Sequence, residues 1–195
     1  MRVNVSLASG AMLVGKNQTE CNVRSRFGAI WGLVEMASTA HIQSFYPTHF
    51  RACFGCGEHN RLGLGLRTFW RDGKAITHWR PTSQFVGASD VLHGGITALL
   101  MDEVAGAAAF VEAHRRRGVA LGEPLDVDFV TANLSVDYRR PVRITSDITL
   151  IAAVENDVGA SGRKIYTRCR LLANNDLAAE GELLFVILGT SRASP

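Results

Sequence analysis

One acid in this chain sits in almost wholly apolar surroundings. Asp102 follows Met101, with Ala98 and Leu99 one helical turn before it and the alanine-rich stretch Ala105–Ala109 after it. Burying an unpaired carboxylate is costly, so such an acid is paired, exposed or functional. On helix pattern alone two readings stay open: Asp102 and Glu103 form a narrow solvated edge, or Asp102 serves a site. On a helix Glu103 is turned about 100° from Asp102, which sets the two toward different surroundings. His93-Gly94-Gly95 opens the same segment. Paired glycines let another molecule approach the backbone closely. The first N–H groups of a helix have no intrahelical partner and lie at the positive end of its dipole, so a carbonyl oxygen placed there is polarised as in an oxyanion hole. Asp102 lies two turns beyond Gly95, about 10 Å along the axis. That is too far for both to act on one carbonyl within a chain, and a partner chain would close the gap. A homodimer or a dimer of dimers with shared sites is therefore expected.

These residues need elements to carry them. Gly95–Ala113 is apolar on almost every side, the mark of a buried helix. Arg115-Arg116-Arg117-Gly118 ends it, with cations at the negative terminus and glycine for the cap. Before it, Leu64–Arg71 and Lys74–Arg80 read as strands joined by Asp72-Gly73, a type I′ hairpin signal. Thr82 to Leu92 reads as a loop. After the helix, Phe129–Arg139, Ile144–Glu155, Arg163–Ala173 and Leu177–Leu188 read as a four-strand meander, with Asn174-Asn175-Asp176 as its last turn. Within the first of these, Val130, Ala132, Leu134, Val136 and Tyr138 alternate with Thr131, Asn133, Ser135 and Asp137. The expected class is α+β, one antiparallel sheet wrapped around one long buried helix. Residues 1–50 form an N-terminal extension with an amphipathic helix over Phe27–Phe45 that Pro47 ends, and 51–190 form the domain.

Composition narrows the function classes. A hydrophobic share of 47% with 20% charged residues fits a packed globular domain, and a net charge of +3 gives no case for nucleic acid. The basic run near Arg115 lacks interleaved aromatics, which argues the same way. No run of 18 apolar residues occurs, so no membrane span is expected. Met1–Thr19 carries Arg2 and Lys16 but no acid and reads as a leader or an over-long start, not a secretory signal. With four cysteines and no disulfide pattern, a reducing cytoplasm is expected. Cys53-x-x-Cys56 lies in a loop with Gly55, Gly57, Gly63 and Gly65. A zinc site would need two more ligands and only His49 and His59 are near, so no metal and no cofactor are expected. The serine-hydrolase elbow and the glycine-rich nucleotide loops are absent from the sequence.

His93-Gly94-Gly95 with Asp102 nine residues after the histidine resembles the PaaI-like branch of the hotdog-fold acyl-CoA thioesterases. The run Thr131 to Val142, ending in Arg140-Pro141-Val142, is similar to that family's strand after the helix, and Cys53-Phe54-Gly55-Cys56-Gly57 with Asn60 and Gly63-Leu64 is similar to the segment opening many such domains. The resemblance covers about residues 50–188. It implies hydrolysis of acyl-CoA to free acid and CoA, with Asp102 as general base or nucleophile and the Gly95 N–H of the partner chain on the carbonyl oxygen. Thr131 would position the water, and His93 would orient the thioester or shape the loop. Gly94 and Asn133 would line the substrate. Arg139, Arg140, Arg143, Arg163 and Lys164 are candidates for the CoA phosphates, or else ordinary solvated strand ends. Gly87 departs from the family, many members of which carry Asn or Gln six residues before the histidine; Gln84 is nearby. A non-catalytic acyl-CoA-binding module is the alternative from another class, and a hotdog dehydratase is a third.

Overall fold

The computed structural model describes residues 40–125, 128–155 and 162–189. Strands β1 (Thr68–Arg71) and β2 (Lys74–Trp79) pair antiparallel through Asp72-Gly73, whose φ angles of 48° and 73° make the expected type I′ turn. Within the stretch expected to be a loop, β3 (Val86–Ala88) and β4 (Val91–Leu92) form a short hairpin. Helix α1 spans Gly94–Arg117, followed by β5 (Asp128–Tyr138), β6 (Ile148–Val154), β7 (Lys164–Ala173) and β8 (Asp176–Gly189). The six long strands form one antiparallel sheet in the order β1-β2-β6-β7-β8-β5. The meander is therefore three strands, not four. β5 runs to the far edge and pairs with β8, because the helix carries the chain from one end of the sheet to the other. Asn174 and Asn175, at φ 50° and 71°, make the β7–β8 turn. This is the hotdog arrangement.

The sheet closes on α1 because the helix offers apolar side chains all round. Leu100, Met101, Val104 and Ala105 are fully buried, as are Ala107–Ala109 and Ala113. By length and hydropathy alone α1 is a candidate membrane span, but its middle is buried against the sheet, as in the core helix of a folded domain. Its end follows the sequence: Gly118 takes φ 66°, and its N–H donates to the carbonyls of Arg115 and His114. The buried Glu112 is satisfied by Arg115 at 2.6 Å and Arg116 at 2.8 Å.

Of the expected helix over Phe27–Phe45, residues 27–39 lie outside the described residues. Its last turn, Ile42–Phe45, is a 3₁₀ turn and not α, and the chain is extended again at Tyr46 before Pro47. The buried Gln43 fixes that turn to the sheet: its amide nitrogen donates to Thr68 Oγ1 at 2.9 Å, and its amide oxygen accepts from the Thr68 N–H at 2.9 Å.

Edge strand β5 carries a bulge that decides the site. Thr131 stands opposite Phe185 and Asn133 opposite Leu184, leaving Ala132 as an extra residue. Side chains directly opposite in a ladder share a face. Thr131 thus shares the inner face with the buried Phe185, and past the bulge Leu134 and Val136 share it with the buried Leu183 and with Gly181. The strict alternation expected from sequence would put Thr131 with Asn133, Ser135 and Asp137 on the outer face. One extra residue turns Thr131 inward.

Candidate active site

Facing inward on β5, Thr131 meets α1. Its Oγ1–H donates to Asp102 Oδ1 at 2.9 Å. Burial pushes the Asp102 carboxyl above the usual aspartate range, and the Thr131 hydrogen bond holds it back. The carboxylate so fixed keeps a second oxygen for another partner.

Two turns earlier the helix start is built from the three residues of the His-Gly-Gly motif. His93 is the N-cap in extended backbone, and its Nδ1 accepts from the Gly95 N–H at 2.9 Å. The N–H groups of Ile96 and Thr97 both reach the His93 carbonyl. That leaves the Gly94 N–H as the helix-start donor without a protein partner among the described residues. The Gly95 N–H, expected to meet a carbonyl oxygen, is held by the imidazole in this state. The Gly94 carbonyl accepts from Tyr138 Oη at 2.9 Å, so β5 also anchors this end of the helix. Gly87 has a structural reason: a Cβ there would lie 2.8 Å from His93 Cα, so the Asn or Gln that the resemblance implies at this place would need the backbone to shift.

A cavity of about 120 Å³ lies beside Asp102, walled by Thr131, Glu103, Cys53 and the rings of Tyr46, Phe129 and Phe185. Asp102 and Glu103 were expected to face different surroundings. They border this cavity from its two sides, Asp102 toward β5 and Glu103 toward the Cys53 loop, because the loop wraps over the helix stripe between them. Cys53 Sγ–H donates to Glu103 Oε1 at 3.0 Å. Burial raises the Glu103 carboxyl to about 8. Of the two thiols, the hydrogen bond between them lowers Cys53 and raises Cys56. Tyr138 and Glu103 were not singled out by sequence reasoning. An acid directly beside Asp102 in an apolar helix was the available signal for Glu103.

Other expected binding residues separate. Gly94, Tyr138, Arg139 and Arg140 border a cleft of about 380 Å³ at the helix start. Arg139 also pairs with Asp137 at 3.5 Å and Glu180 at 3.4 Å, and Arg140 with Asp176 at 3.0 Å. Exposed pairs of this kind contribute little and leave both guanidinium groups open to a phosphate. Arg143 is engaged by Asp90. Arg163 and Lys164 lie at the opposite end of α1, where Arg163 Nε donates to the Ile187 carbonyl at 2.9 Å and Arg116 donates to the Lys164 carbonyl at 2.6 Å. Asn133, paired with Leu184, is exposed on the outer face and does not approach Asp102 of its own chain.

The family model described as Thioesterase superfamily matches residues 90–173, the stretch that holds the helix start, Asp102 and Thr131. That segment is thus similar to thioesterase-superfamily domains. Acyl-coenzyme A thioesterase THEM4 of Xenopus laevis is 30% identical over 117 residues, covering 59% of this chain and 46% of that protein. The chain thus spans less than half the length of this relative. A crystal structure of a thioesterase superfamily protein superposes with a TM-score of 0.58 at 24% identity, covering 87% of this chain and 83% of the other. The Escherichia coli PaaI protein, from the phenylacetic acid degradation operon, does so with 0.53 at 16% identity over 66% and 83%. These likenesses bear out the hotdog fold.

Proposed function

We propose that the chain hydrolyses acyl-CoA thioesters to free acid and CoA, with Asp102 as the general base. The observation that carries this is the Thr131–Asp102 hydrogen bond on an inward-turned bulge, which fixes a half-buried carboxylate with one oxygen facing the cavity. Water held there loses its proton to Asp102 and attacks the thioester carbon; the C–S bond then breaks, and the CoA thiolate leaves with the proton that Asp102 took up. The carbonyl oxygen takes the free Gly94 N–H and, as the His93 imidazole yields it, the Gly95 N–H; donors fixed in advance are worth most where charge develops. Arg139 and Arg140 beside that helix start are suited to the CoA phosphates. The relatives' name and the family match support the substrate class.

The two halves of the site are brought together by a second copy of this chain. β5 is an edge strand of 11 residues, and its Val130, Leu134 and Tyr138 are exposed in the single chain. Such an edge is open to strand pairing. If two β5 strands pair antiparallel about Ser135, the bulge brings Thr131 of one chain opposite Tyr138 of the other. Tyr138 holds Gly94, so each Asp102 then meets the partner's helix start.

The test is thiol release from a panel of acyl-CoAs. Asp102→Asn is expected to lose on the order of 10² or more in rate, the usual contribution of a general base. Full activity in Asp102→Asn would overturn the mechanism. Wild type that binds acyl-CoA without releasing thiol would instead favour the binding module.

A further inference from the structure

The Cys53–Cys56 pair plays no part in the mechanism above, yet the loop is built around it. We propose that Cys53, Cys56 and Glu103 bind a zinc ion, with the fourth position open to the cavity beside Asp102. This inference goes beyond the thioesterase reading and does not depend on it.

The donor atoms of the three side chains all lie within 4.8 Å of one another. Ligands of a tetrahedral zinc stand about 3.5–3.8 Å apart, as follows from its bond lengths. Small side-chain shifts would therefore seat the ion. The turn is shaped to present sulfur. The Gly55 N–H donates to Cys53 Sγ at 3.3 Å, a contact that favours the thiolate, and the Gly57 N–H closes the turn on the Cys53 carbonyl at 3.0 Å. Gly57 is required where it is, and Gly55 leaves the room that Glu103 fills. A Cβ on Gly57 would lie 2.4 Å from the Arg51 carbonyl oxygen and 2.5 Å from the Cys53 nitrogen. At Gly55 a Cβ would lie 2.2 Å from the Glu103 carboxyl carbon. Glycine at 55 is thus what lets a carboxylate from α1 sit directly over the turn. From sequence, the missing ligands were sought among His49 and His59. His49 instead pairs with Asp128 at 2.8 Å, and the helix supplies the third donor. Two thiolates and one carboxylate suit borderline-soft zinc over magnesium or calcium. Three protein ligands at a cavity wall leave a coordination position for water or ligand, which separates this arrangement from a closed structural site.

The experiment uses the full chain, reduced and stripped with a chelator, then titrated with zinc chloride against a chromophoric competitor. Cobalt substitution gives a second readout through thiolate-to-metal charge-transfer absorption. We expect one metal per chain. Cys53→Ser and Cys56→Ser should each weaken binding by more than the roughly 10–100-fold that loss of an outer-shell partner costs. Glu103→Gln should weaken it while keeping the thiolate bands, and Cys169→Ser, buried in β7, should bind as wild type does. In the wild type itself, with no substitution to disturb folding, zinc should protect Cys53 and Cys56 from alkylation. The site is refuted if zinc gives no protection. Wild-type affinity in Glu103→Gln would remove the carboxylate from the site and overturn the proposal as stated. Recovery of a Cys53–Cys56 disulfide whose reduced form takes no zinc would make the pair a redox couple instead.

Discussion

Replacing Thr131 by valine keeps the shape of the side chain and deletes the one hydroxyl that touches Asp102. The bond is 2.9 Å long and ends on a carboxylate. Hydrogen bonds to charged groups contribute about 1.5–3 kcal/mol, and Thr131 is exposed in the single chain, so the lower part of that range applies. A loss of about 1.5–2 kcal/mol corresponds to a fall of about 10–30-fold in kcat/KM. Because valine fills the same volume and Thr131 does not touch the CoA-side cleft, the fall is expected in kcat, with KM little changed. Thiol release under steady-state and single-turnover conditions separates the two. Thr131→Ser should recover most of the rate, since it restores the donor and loses only a methyl group. In an Asp102→Asn background Thr131→Val should cost little more, because the carboxylate it serves is gone. An unchanged kcat in Thr131→Val would refute the reasoning. So would a Thr131→Ser variant as impaired as valine, which would assign the effect to packing.

Two further outcomes follow from the same geometry. His114 is buried, its Nδ1–H donates to the Phe110 carbonyl at 3.0 Å, and burial lowers its pKa. In the unfolded chain this group takes up a proton near about 6.5, so its stabilising effect is full above that pH and is lost as pH falls from there toward the lower folded value. Thermal melts from pH 8 down to about 5 should show a drop in the wild type relative to His114→Gln; that difference isolates His114 from His41, which acts in the same sense, and from the raised Glu103 carboxyl, which stabilises as pH falls. An equally steep drop in the variant would exclude His114 as a source. Ser135→Lys sets like charges across the proposed β5–β5 contact and should shift the protein toward monomer in sedimentation equilibrium, with activity falling in step. A fully active monomer would end the shared-site reading.

Much of the fold is visible in local signals. Asp72-Gly73, Asn174-Asn175 and Gly118 each demand a left-handed backbone, and each ends or turns an element where sequence says it should. The apolar girth of α1 is equally plain. What stayed hidden depends on contacts distant in the chain. The place of β5 at the far edge follows from how the helix crosses the sheet, and no local pattern records it. The inward turn of Thr131 needs a bulge, which period-2 alternation cannot reveal. Glu103 reaches the Cys53 loop only because Gly55, forty-eight residues away, leaves room for its carboxyl. Asp102 and Thr131 were expected from the family resemblance, and the structure joins them by a hydrogen bond. Asn133, one bulge further on, faces the other way.

Both ends of the helix segment that bears the site are tied to the same edge strand, Asp102 through Thr131 and Gly94 through Tyr138. If that edge is where a second copy docks, docking and completion of the site are a single event. Mass action then governs turnover. Below the dissociation constant of the pair, specific activity would rise in proportion to protein concentration, and above it would level off. A cell could then set the rate per chain through how much of the chain it makes.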